Sequence, residues 1–218
     1  MKLNKYFDHT NLKANATFCD IEKLCKEALQ YDFYSVCVNP SRIEIAKNFL
    51  DNSDVKIATV IGFPLGALTT ESKIFEARDA IAKGTDEIDM VVNIGKIKDR
   101  DFDYIEKEIS SIKNAIGEHL LKVIIETALL DEKEIIEMTN IVIESGADYI
   151  KTSTGFSTRG VSLRDIEIIK AIAQNKIGIK ASGGISTLEL TKKLIKEGAT
   201  RIGASKSVLI MKENQLDK

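Results

Sequence analysis

The chain alternates between short β-rich runs and amphipathic stretches of helical periodicity, and it does so eight times. Strict strand–helix alternation favours parallel strands joined by right-handed crossovers. Eight such units in 218 residues predict a (β/α)₈ barrel, near the lower size limit of that fold. The strands are predicted at residues 6–10, 34–39, 56–62, 87–93, 122–127, 148–153, 177–182 and 200–205. The helices are predicted at residues 17–30, 40–50, 69–83, 101–116, 131–145, 162–174, 186–197 and 204–213.

A doubly wound open sheet is the rival interpretation of the same alternation. Such a sheet usually carries a glycine-rich turn after its first strand, and the turn after Thr10 has no glycine. No Pro/Ser-rich linker interrupts the pattern, so residues 1–218 are expected to form one barrel domain.

Helix ends carry their own signals. Thr17 is predicted to cap the first helix, and Ser162 with Asp165 and Ser186 with Glu189 are typical of capping boxes. Three glycines lie where the chain leaves a helix in the left-handed conformation. These are Gly84, Gly146 and Gly198.

Composition excludes several kinds of partner. The net charge is −2 with acids and bases interspersed, which argues against nucleic acid or an anionic membrane as main partner. The N-terminal segment lacks the apolar core of a signal peptide, and no window approaches a membrane span. The sparse, odd set of Cys19, Cys25 and Cys37 is typical of reduced thiols, so a cytoplasmic location is expected.

Histidines are scarce in this chain. Only His9 and His119 are present, which is too few for a histidine-rich metal site, so no metal is predicted. His9 is interpreted as a core or cap residue. His119 precedes the strand at 122–127 and is expected at the end of the barrel away from the site.

Polar residues share one face of several predicted strands. In residues 87–92, Glu87 and Asp89 alternate with Ile88 and Met90, so one phase is apolar and the other carries acids. In a barrel the polar phase points inward, and sites form at the C-terminal strand ends. Four such inward residues are therefore expected to converge at one mouth: Cys37, Asp89, Lys151 and Lys180.

Two of these residues are lysines, each followed by a small-residue turn. A single strand-end lysine is readily explained by snorkelling, in which the alkyl stem packs and the ammonium reaches water. Two inward lysines on neighbouring strands repel each other, which is difficult to explain by stability. One ammonium lowers the pKa of the other amine, which can then attack a carbonyl and form an iminium.

Asp89 has two interpretations. It is either a counter-ion of Lys151 and Lys180 or the group that moves protons during carbinolamine formation and dehydration. Asp8 and Thr10, in phase on the first strand, are expected to hydrogen bond to the site. An inward cysteine is usually a small core residue, so the part that Cys37 plays is open.

The segments "ASGGIS" (181–186) and "IGASKS" (202–207) each place glycine before a helix. They follow the seventh and eighth strands, where barrels commonly bind phosphate through backbone N–H groups and the positive end of a helix. Gly155 adds a third position of close approach. The alternative is that these glycines form ordinary turns.

Eight stretches of the chain resemble the deoxyribose-phosphate aldolase family. They are "DHTNL", "SVCVNP", "TVIGFPLG", "DEIDMVVNIG", "KVIIET", "GADYIKTSTGF", "KASGGI" and "RIGAS", in order from near residue 8 to near residue 205. The resemblance implies a (β/α)₈ class I aldolase without metal or other cofactor. Its reaction is the reversible cleavage of 2-deoxy-D-ribose 5-phosphate to D-glyceraldehyde 3-phosphate and acetaldehyde, in deoxynucleoside catabolism.

The same resemblance implies roles for single residues. Lys151 is the Schiff-base lysine, Lys180 activates it, and Asp89 transfers protons. Phosphate is held by Gly155, Gly183, Gly184, Gly203 and Ser205. The pocket is lined by Asp8, Thr10 and Cys37.

The chain departs from the family at two places. Some members use a tyrosine in a C-terminal tail, whereas the last tyrosine here is Tyr149. Some members have a lysine where this chain has Phe156, so weaker side-chain help with phosphate is expected. Two other functions stay open: a sugar-phosphate epimerase or isomerase, and a catalytically silent phosphosugar-binding protein. Oligomers are common in the family, so a homo-oligomer is an alternative to a monomer.

Overall fold

The computed structural model describes residues 2–217. Their eight strands are all parallel and follow chain order around a closed barrel, in which β8 pairs with β1. The predicted (β/α)₈ barrel is confirmed, and the open-sheet alternative is wrong. The strands are β1 Phe7–Asn11, β2 Ser35–Val38, β3 Lys56–Ile61, β4 Glu87–Val91, β5 Leu120–Ile124, β6 Tyr149–Lys151, β7 Gly178–Ser182 and β8 Arg201–Ala204.

Helices alternate with these strands and pack around them. They are α1 Phe18–Tyr31, α2 Ile43–Leu50, α3 Thr70–Lys83, α4 Ile94–Lys98, α5 Phe102–Ile116, α6 Glu132–Glu144, α7 Leu163–Ala173, α8 Leu188–Glu197 and α9 Ser207–Leu216. Short 3₁₀ turns occur at Leu3–Tyr6, Pro40–Arg42 and Thr127–Leu129. Within residues 2–217, no helix combines the length and apolar character that a membrane crossing requires.

Local capping explains several of the helix starts. The Thr17 hydroxyl accepts from the Asp20 amide at 3.3 Å, and the Asp20 carboxylate accepts from the Thr17 amide at 2.8 Å. Ser162 and Asp165 form the same reciprocal pair at the start of α7. Both predicted caps are confirmed, and Gly84 ends α3 with a left-handed φ of 101°.

Some predicted boundaries are wrong. The Ser186–Glu189 capping box is absent among the described residues because the chain turns one residue later. There the Thr187 hydroxyl accepts from the Leu190 amide at 3.3 Å. The last helix begins at Ser207 and not at 204, because Ala204 still belongs to β8. The short helix α4, which Asn93 caps through the amide of Lys96, was not predicted.

The two faces of each strand have different surroundings. The predicted apolar phase, including Ile88, Met90, Ile150 and Ile179, packs in the large core between barrel and helices. The opposite phase faces the barrel interior, where alternate residues on parallel strands meet. The polar residues of the sequence pattern are therefore concentrated inside the barrel.

Candidate active site

Lys151 and Lys180 lie side by side on neighbouring strands. They are register partners in the β6–β7 ladder, so their side chains enter the barrel from adjacent positions. Lys180 is fully buried, and Lys151 retains an exposed fraction of 3%. The predicted convergence of the two lysines is thus present in the folded chain.

Asp89 of β4 joins the two lysines from across the barrel. Its Oδ2 atom accepts from Lys151 Nζ at 2.7 Å and from Lys180 Nζ at 2.7 Å. Its Oδ1 atom accepts from Lys122 Nζ at 2.8 Å. Burial would raise the pKa of Asp89, but the three ammonium groups hold that pKa well below its ordinary value.

Lys180 is placed to remain charged. Burial would lower the pKa of its amine, but the carboxylates of Asp8 and Asp89 outweigh burial and raise the pKa overall. Asp8 contacts the Lys180 ammonium directly. The same Asp8 carboxylate accepts from Arg201 Nη1 at 2.7 Å, so it is held on both sides.

For Lys151, the effects that lower the pKa outweigh those that raise it. Burial lowers the pKa of its amine, Asp89 opposes that effect, and the positive charge of Lys180 adds to the lowering. The net direction is downward, towards a neutral amine. Of the two lysines, Lys151 is therefore the one suited to act as a nucleophile.

A cavity of about 660 Å³ opens above Lys151 at the C-terminal end of the barrel. It is large enough for a small phosphorylated sugar. Seven of the residues singled out in the sequence line it: Thr10, Lys151, Gly155, Gly183, Gly184, Gly203 and Ser205. They meet at one cavity because they lie near the C-terminal ends of β1, β6, β7 and β8 or directly after them.

The glycines of this cavity are not equivalent. Gly184 has a φ of 76°, and a Cβ atom built on it meets nothing within 4 Å, so its backbone faces open space. A Cβ atom on Gly203 would lie 3.1 Å from Lys180 Cε. Gly203 therefore also makes room for the stem of Lys180, whereas Gly184 leaves its backbone accessible to a ligand.

Similarity to known proteins agrees with this site. A deoxyribose-phosphate aldolase from Mycoplasmopsis pulmonis (strain UAB CTIP) is 53% identical over 218 residues, which cover 100% of this chain and 99% of that protein. The model of the DeoC/LacD family aldolases matches residues 2–209. This chain belongs to the DeoC/LacD family of aldolases.

Solved structures extend the comparison. One titled "QR15, an Aldolase" superposes on this family member with a TM-score of 0.95 at 38% identity, over 99% of this chain and 97% of that one. The deoxyribose phosphate aldolase from Aeropyrum pernix, described as a unique tetrameric structure, gives a TM-score of 0.89 at 29% identity. That match covers 98% of this chain and 91% of that one. Membership of an aldolase family favours aldolase chemistry over the epimerase or isomerase alternative.

Two residues expected to line the pocket of this aldolase lie elsewhere. Asp8 is fully buried and contacts Lys180 and Arg201, outside the cavity lining. Cys37 packs with Ala58 and Val60 inside the barrel, and burial raises the pKa of its thiol. Both side chains are buried inside the barrel and do not line the cavity, and Asp8 contacts Lys180 there.

The sequence reasoning placed Glu87 on the inward phase of its strand but missed two cations inside the barrel, Lys122 and Arg201. Lys122 donates to Asp89, and its Nζ atom also lies 2.7 Å from Glu87 Oε2. Arg201 Nη1 lies 3.3 Å from Glu87 and 2.7 Å from Asp8, and its guanidinium stacks 3.5 Å from the Tyr34 ring centroid. Strand phase would have found Lys122, since it lies between the apolar Leu121 and Val123.

His9 is buried, in agreement with its interpretation as a core residue. Its Nε2 atom lies 2.9 Å from Glu27 of α1, and its ring packs against Phe33 with centroids 5.1 Å apart. It belongs to the phase of β1 that faces the helices, although its edge reaches the cavity. Burial lowers the pKa of His9 despite the neighbouring Glu27.

The segment after β3 lies at the same mouth of the barrel. Phe63 from this segment meets Phe156 edge to face, with ring centroids 5.3 Å apart. Phe156 is 57% exposed and belongs to the cavity lining. An apolar ring thus borders the cavity next to Gly155.

Proposed function

We propose that this protein reversibly cleaves 2-deoxy-D-ribose 5-phosphate to D-glyceraldehyde 3-phosphate and acetaldehyde through a Schiff base on Lys151. The observation that carries the proposal is the shared carboxylate. Asp89 Oδ2 lies 2.7 Å from both Lys151 Nζ and Lys180 Nζ, at the floor of a cavity that Lys151 enters. This arrangement supplies an amine of lowered pKa, a neighbouring ammonium that can donate a proton, and a carboxylate that contacts both.

The first step is addition to the open-chain sugar. The neutral amine of Lys151 attacks the C1 aldehyde carbon and forms a carbinolamine, and water then leaves to give a protonated imine. The oxygen that departs needs a proton. Lys180 and Asp89, which are hydrogen bonded to each other, are the groups within the site that supply and recover that proton.

The second step breaks the bond between C2 and C3. The C3 hydroxyl loses its proton, its electron pair forms the aldehyde of glyceraldehyde 3-phosphate, and the C2–C3 electrons move into the protonated imine to give an enamine. Protonation of the enamine at C2 and hydrolysis release acetaldehyde and restore Lys151. The iminium nitrogen is therefore the electron sink, and its positive charge replaces that of a protonated lysine beside Asp89.

Phosphate recognition is assigned to the rim formed after β6, β7 and β8. Gly155, Gly183, Gly184, Gly203 and Ser205 all border the cavity there. Helix α9 begins at Ser207, directly after this rim, and the N-terminus of a helix favours an anion. Lys206 adds a side-chain cation to the same lining.

Reductive trapping tests the proposal directly. Borohydride with acetaldehyde should attach one ethyl group per chain, and peptide mapping should place it on Lys151. Lys151→Met is the matched control and should not be labelled, although Lys206 also borders the cavity. A label on Lys206 or another lysine contradicts the assignment. A phosphosugar-binding protein without turnover would leave deoxyribose 5-phosphate uncleaved.

The biological setting is part of the same proposal. The enzyme acts on a small sugar phosphate in deoxynucleoside catabolism, in the cytoplasm, and as a homo-oligomer; the tetrameric relative from Aeropyrum pernix supports the last point. Residues 1–218 are taken as one aldolase domain, of which the two terminal residues lie outside the described residues. Light scattering on the eluting protein measures the oligomeric state.

A further inference from the structure

Lys122 is a third lysine inside the barrel, and the proposed reaction gives it no step. It is the middle residue of β5, and its side chain is fully buried. It does not border the cavity, so it cannot reach a substrate there. A buried ammonium with no contact to substrate needs another explanation, because burying a charge is costly unless it is paired.

The partners of Lys122 are all acids. Its Nζ atom lies 2.7 Å from Glu87 Oε2, 2.8 Å from Asp89 Oδ1 and 3.9 Å from Asp8 Oδ2. The contact to Asp89 uses the oxygen that Lys151 and Lys180 leave free. Lys122 therefore fixes the rotation of the Asp89 carboxylate. Its positive charge also offsets part of the negative charge that Asp89 presents to Lys151.

The inward strand residues carry one more cation than anion when all of them are ionised. Their buried cations are Lys122, Lys151, Lys180 and Arg201, and their buried anions are Asp8, Glu87 and Asp89; the buried Glu126 lies beyond β5 and accepts from the Thr154 amide. Loss of the proton from one lysine removes the excess among these strand residues. Burial lowers the pKa of Lys151, whereas acidic partners raise those of Lys122 and Lys180 against burial.

We infer that Lys122 is a positioning residue that keeps Lys151 in its reactive, neutral form by holding one oxygen of Asp89 and offsetting part of its negative charge. Glu87 has the opposite effect on Lys151, because its negative charge contacts Lys122 and offsets part of the positive charge of that lysine. The inference rests on the proposed function of Lys151. It assigns the tuning of that lysine to a pair of residues that touch no substrate.

The other charged and titratable groups of the interior set the background for this effect. Asp8 lies on β1, Cys37 on β2, Asp89 on β4, Tyr149 on β6, Lys180 on β7 and Arg201 on β8, and the buried Glu126 lies just beyond β5. All of them remain in the variants described next. The variants change only Lys122 and Glu87, so a shift in the titration of Lys151 reports on that pair.

Two single variants and their combination test the inference. Lys122→Met removes a positive charge, so the protonated form of Lys151 becomes more favourable and its pKa rises. Glu87→Gln removes a negative charge while keeping an acceptor for Lys122 and Arg201, so the pKa of Lys151 falls. Each shift should be about one pH unit, as expected for one unit charge acting through a shared carboxylate at an effective dielectric constant of about 20.

The pH profile of kcat/KM is the first measurement. Its acid limb, which reports protonation of Lys151, should move to higher pH in Lys122→Met and to lower pH in Glu87→Gln. The double variant should return the limb close to that of the unsubstituted enzyme. An unmoved limb in either single variant, or a shift of both in one direction, overturns the inference even where melting temperatures fall.

A second measurement needs no turnover. The rate at which acetic anhydride acetylates Lys151, mapped by peptide analysis across pH, reports the free amine itself. At a fixed pH on the acid limb, Lys122→Met should slow this reaction about tenfold and Glu87→Gln should accelerate it. If Lys122→Met does not fold, Glu87→Gln alone decides, because unchanged or slower acetylation contradicts the inference. Failure of trapping at Lys151 in the unsubstituted protein would instead reject the proposed function.

Discussion

Lys180 is distinguished from Lys151 by its acidic neighbours. Asp8 and Asp89 both contact the Lys180 ammonium, whereas Lys151 contacts Asp89 without Asp8. The pKa values of two adjacent amines are thereby driven apart, which is the arrangement that assigns one group as a cation and the other as a nucleophile. The difference follows from strand order, since β8 alone separates the Lys180 strand from the Asp8 strand, whereas the Lys151 strand is one strand further away.

Lys180→Met should raise the pKa of Lys151 and reduce kcat/KM at neutral pH by ~10²-fold or more, because a repelling charge and a proton donor are both lost. Raising the pH should restore part of the activity by deprotonating Lys151. The profile of kcat/KM against pH measures both effects. Lys176→Met, an exposed lysine before β7, is the control and should keep the parent profile. An acid limb at the parent pH would show that Lys180 does not tune Lys151.

The positions of some single residues could be predicted from the sequence pattern, and those of others could not. The alternation of Asp89 with Ile88 and Met90 is sufficient to place the acid inside the barrel, because strand phase is fixed by the pleat. Lys122 was missed because the predicted strand began at that residue. The strand β5 begins at Leu120, so Lys122 lies in its middle, between the apolar Leu121 and Val123. Which charged groups touch Asp89 depends on barrel register, which local sequence does not encode.

The segment that follows β7 is the element on which phosphate specificity rests in the proposed function. Its backbone turns through Gly183 and Gly184, with φ values of 84° and 76°. A Cβ atom on Gly183 would lie 2.8 Å from Gly160 Cα, so that glycine is required by packing. Gly184 meets no such neighbour and is therefore the better position for a test of ligand binding.

Gly184→Ala should raise KM for deoxyribose 5-phosphate more than for unphosphorylated deoxyribose, since its methyl group enters the space proposed for phosphate. Gly146→Ala is the matched control. It has a φ of 75°, also meets nothing within 4 Å, and lies at the end of α6 on the opposite side of the barrel. Steady-state kinetics with both sugars separates the effects. Equal losses for the two sugars in Gly184→Ala would mean that this glycine serves the backbone alone.

Helices α3 and α5 are joined by a buried ion pair that also supports the end of β4. Lys73 Nζ lies 2.7 Å from Glu108 Oε1 and donates to the Val91 carbonyl at 2.9 Å. Glu108 Oε2 accepts from the Asn93 amide at 3.1 Å. Burial lowers the pKa of Lys73 and raises that of Glu108, against the attraction between them.

Lys73→Met should lower the free energy of unfolding by about 3–5 kcal/mol, because Glu108 is left buried without its counter-ion. The double variant Lys73→Met/Glu108→Gln should recover much of that loss, since no isolated charge remains and the acceptor for Asn93 is kept. Urea unfolding at neutral pH measures both. A loss under about 1 kcal/mol in the single variant, in the range of an exposed pair, would contradict the expected cost of burial.

The whole barrel was predictable because its signal is repeated. Eight alternations indicate parallel strands without reference to any one boundary, and the lack of a glycine-rich turn after the first strand favours a closed barrel over an open sheet. Short or shifted elements were less predictable. Helix α4 has five residues, and β6 is three residues long because the chain leaves the ladder after Lys151 to form the cavity rim. Such departures depend on tertiary contacts that local periodicity does not contain.

The charged interior also gives the molecule a characteristic dependence on pH. Burial would raise the pKa values of Asp8 and Asp89. The positive charges of Lys122 and Lys180, with Arg201 beside Asp8 and Lys151 beside Asp89, instead hold both pKa values far below the ordinary 3.8. Groups whose pKa is depressed in the folded state stabilise it above their unfolded pKa. That stability is lost as the pH falls through and below that value.

The free energy of unfolding should therefore be steady near neutral pH and fall as the pH drops towards and below 3.8, the ordinary pKa of Asp8 and Asp89. Each depressed carboxyl contributes a limiting slope of about 1.4 kcal/mol per pH unit. Asp8→Asn should be less stable than the parent at neutral pH, and the two should converge in acid because the variant cannot lose a charge it lacks. Urea unfolding across pH measures the convergence, with the exposed Asp54→Asn as a charge-matched control that should follow the parent. A constant difference between Asp8→Asn and the parent would show that the barrel carboxylates do not set the acid stability.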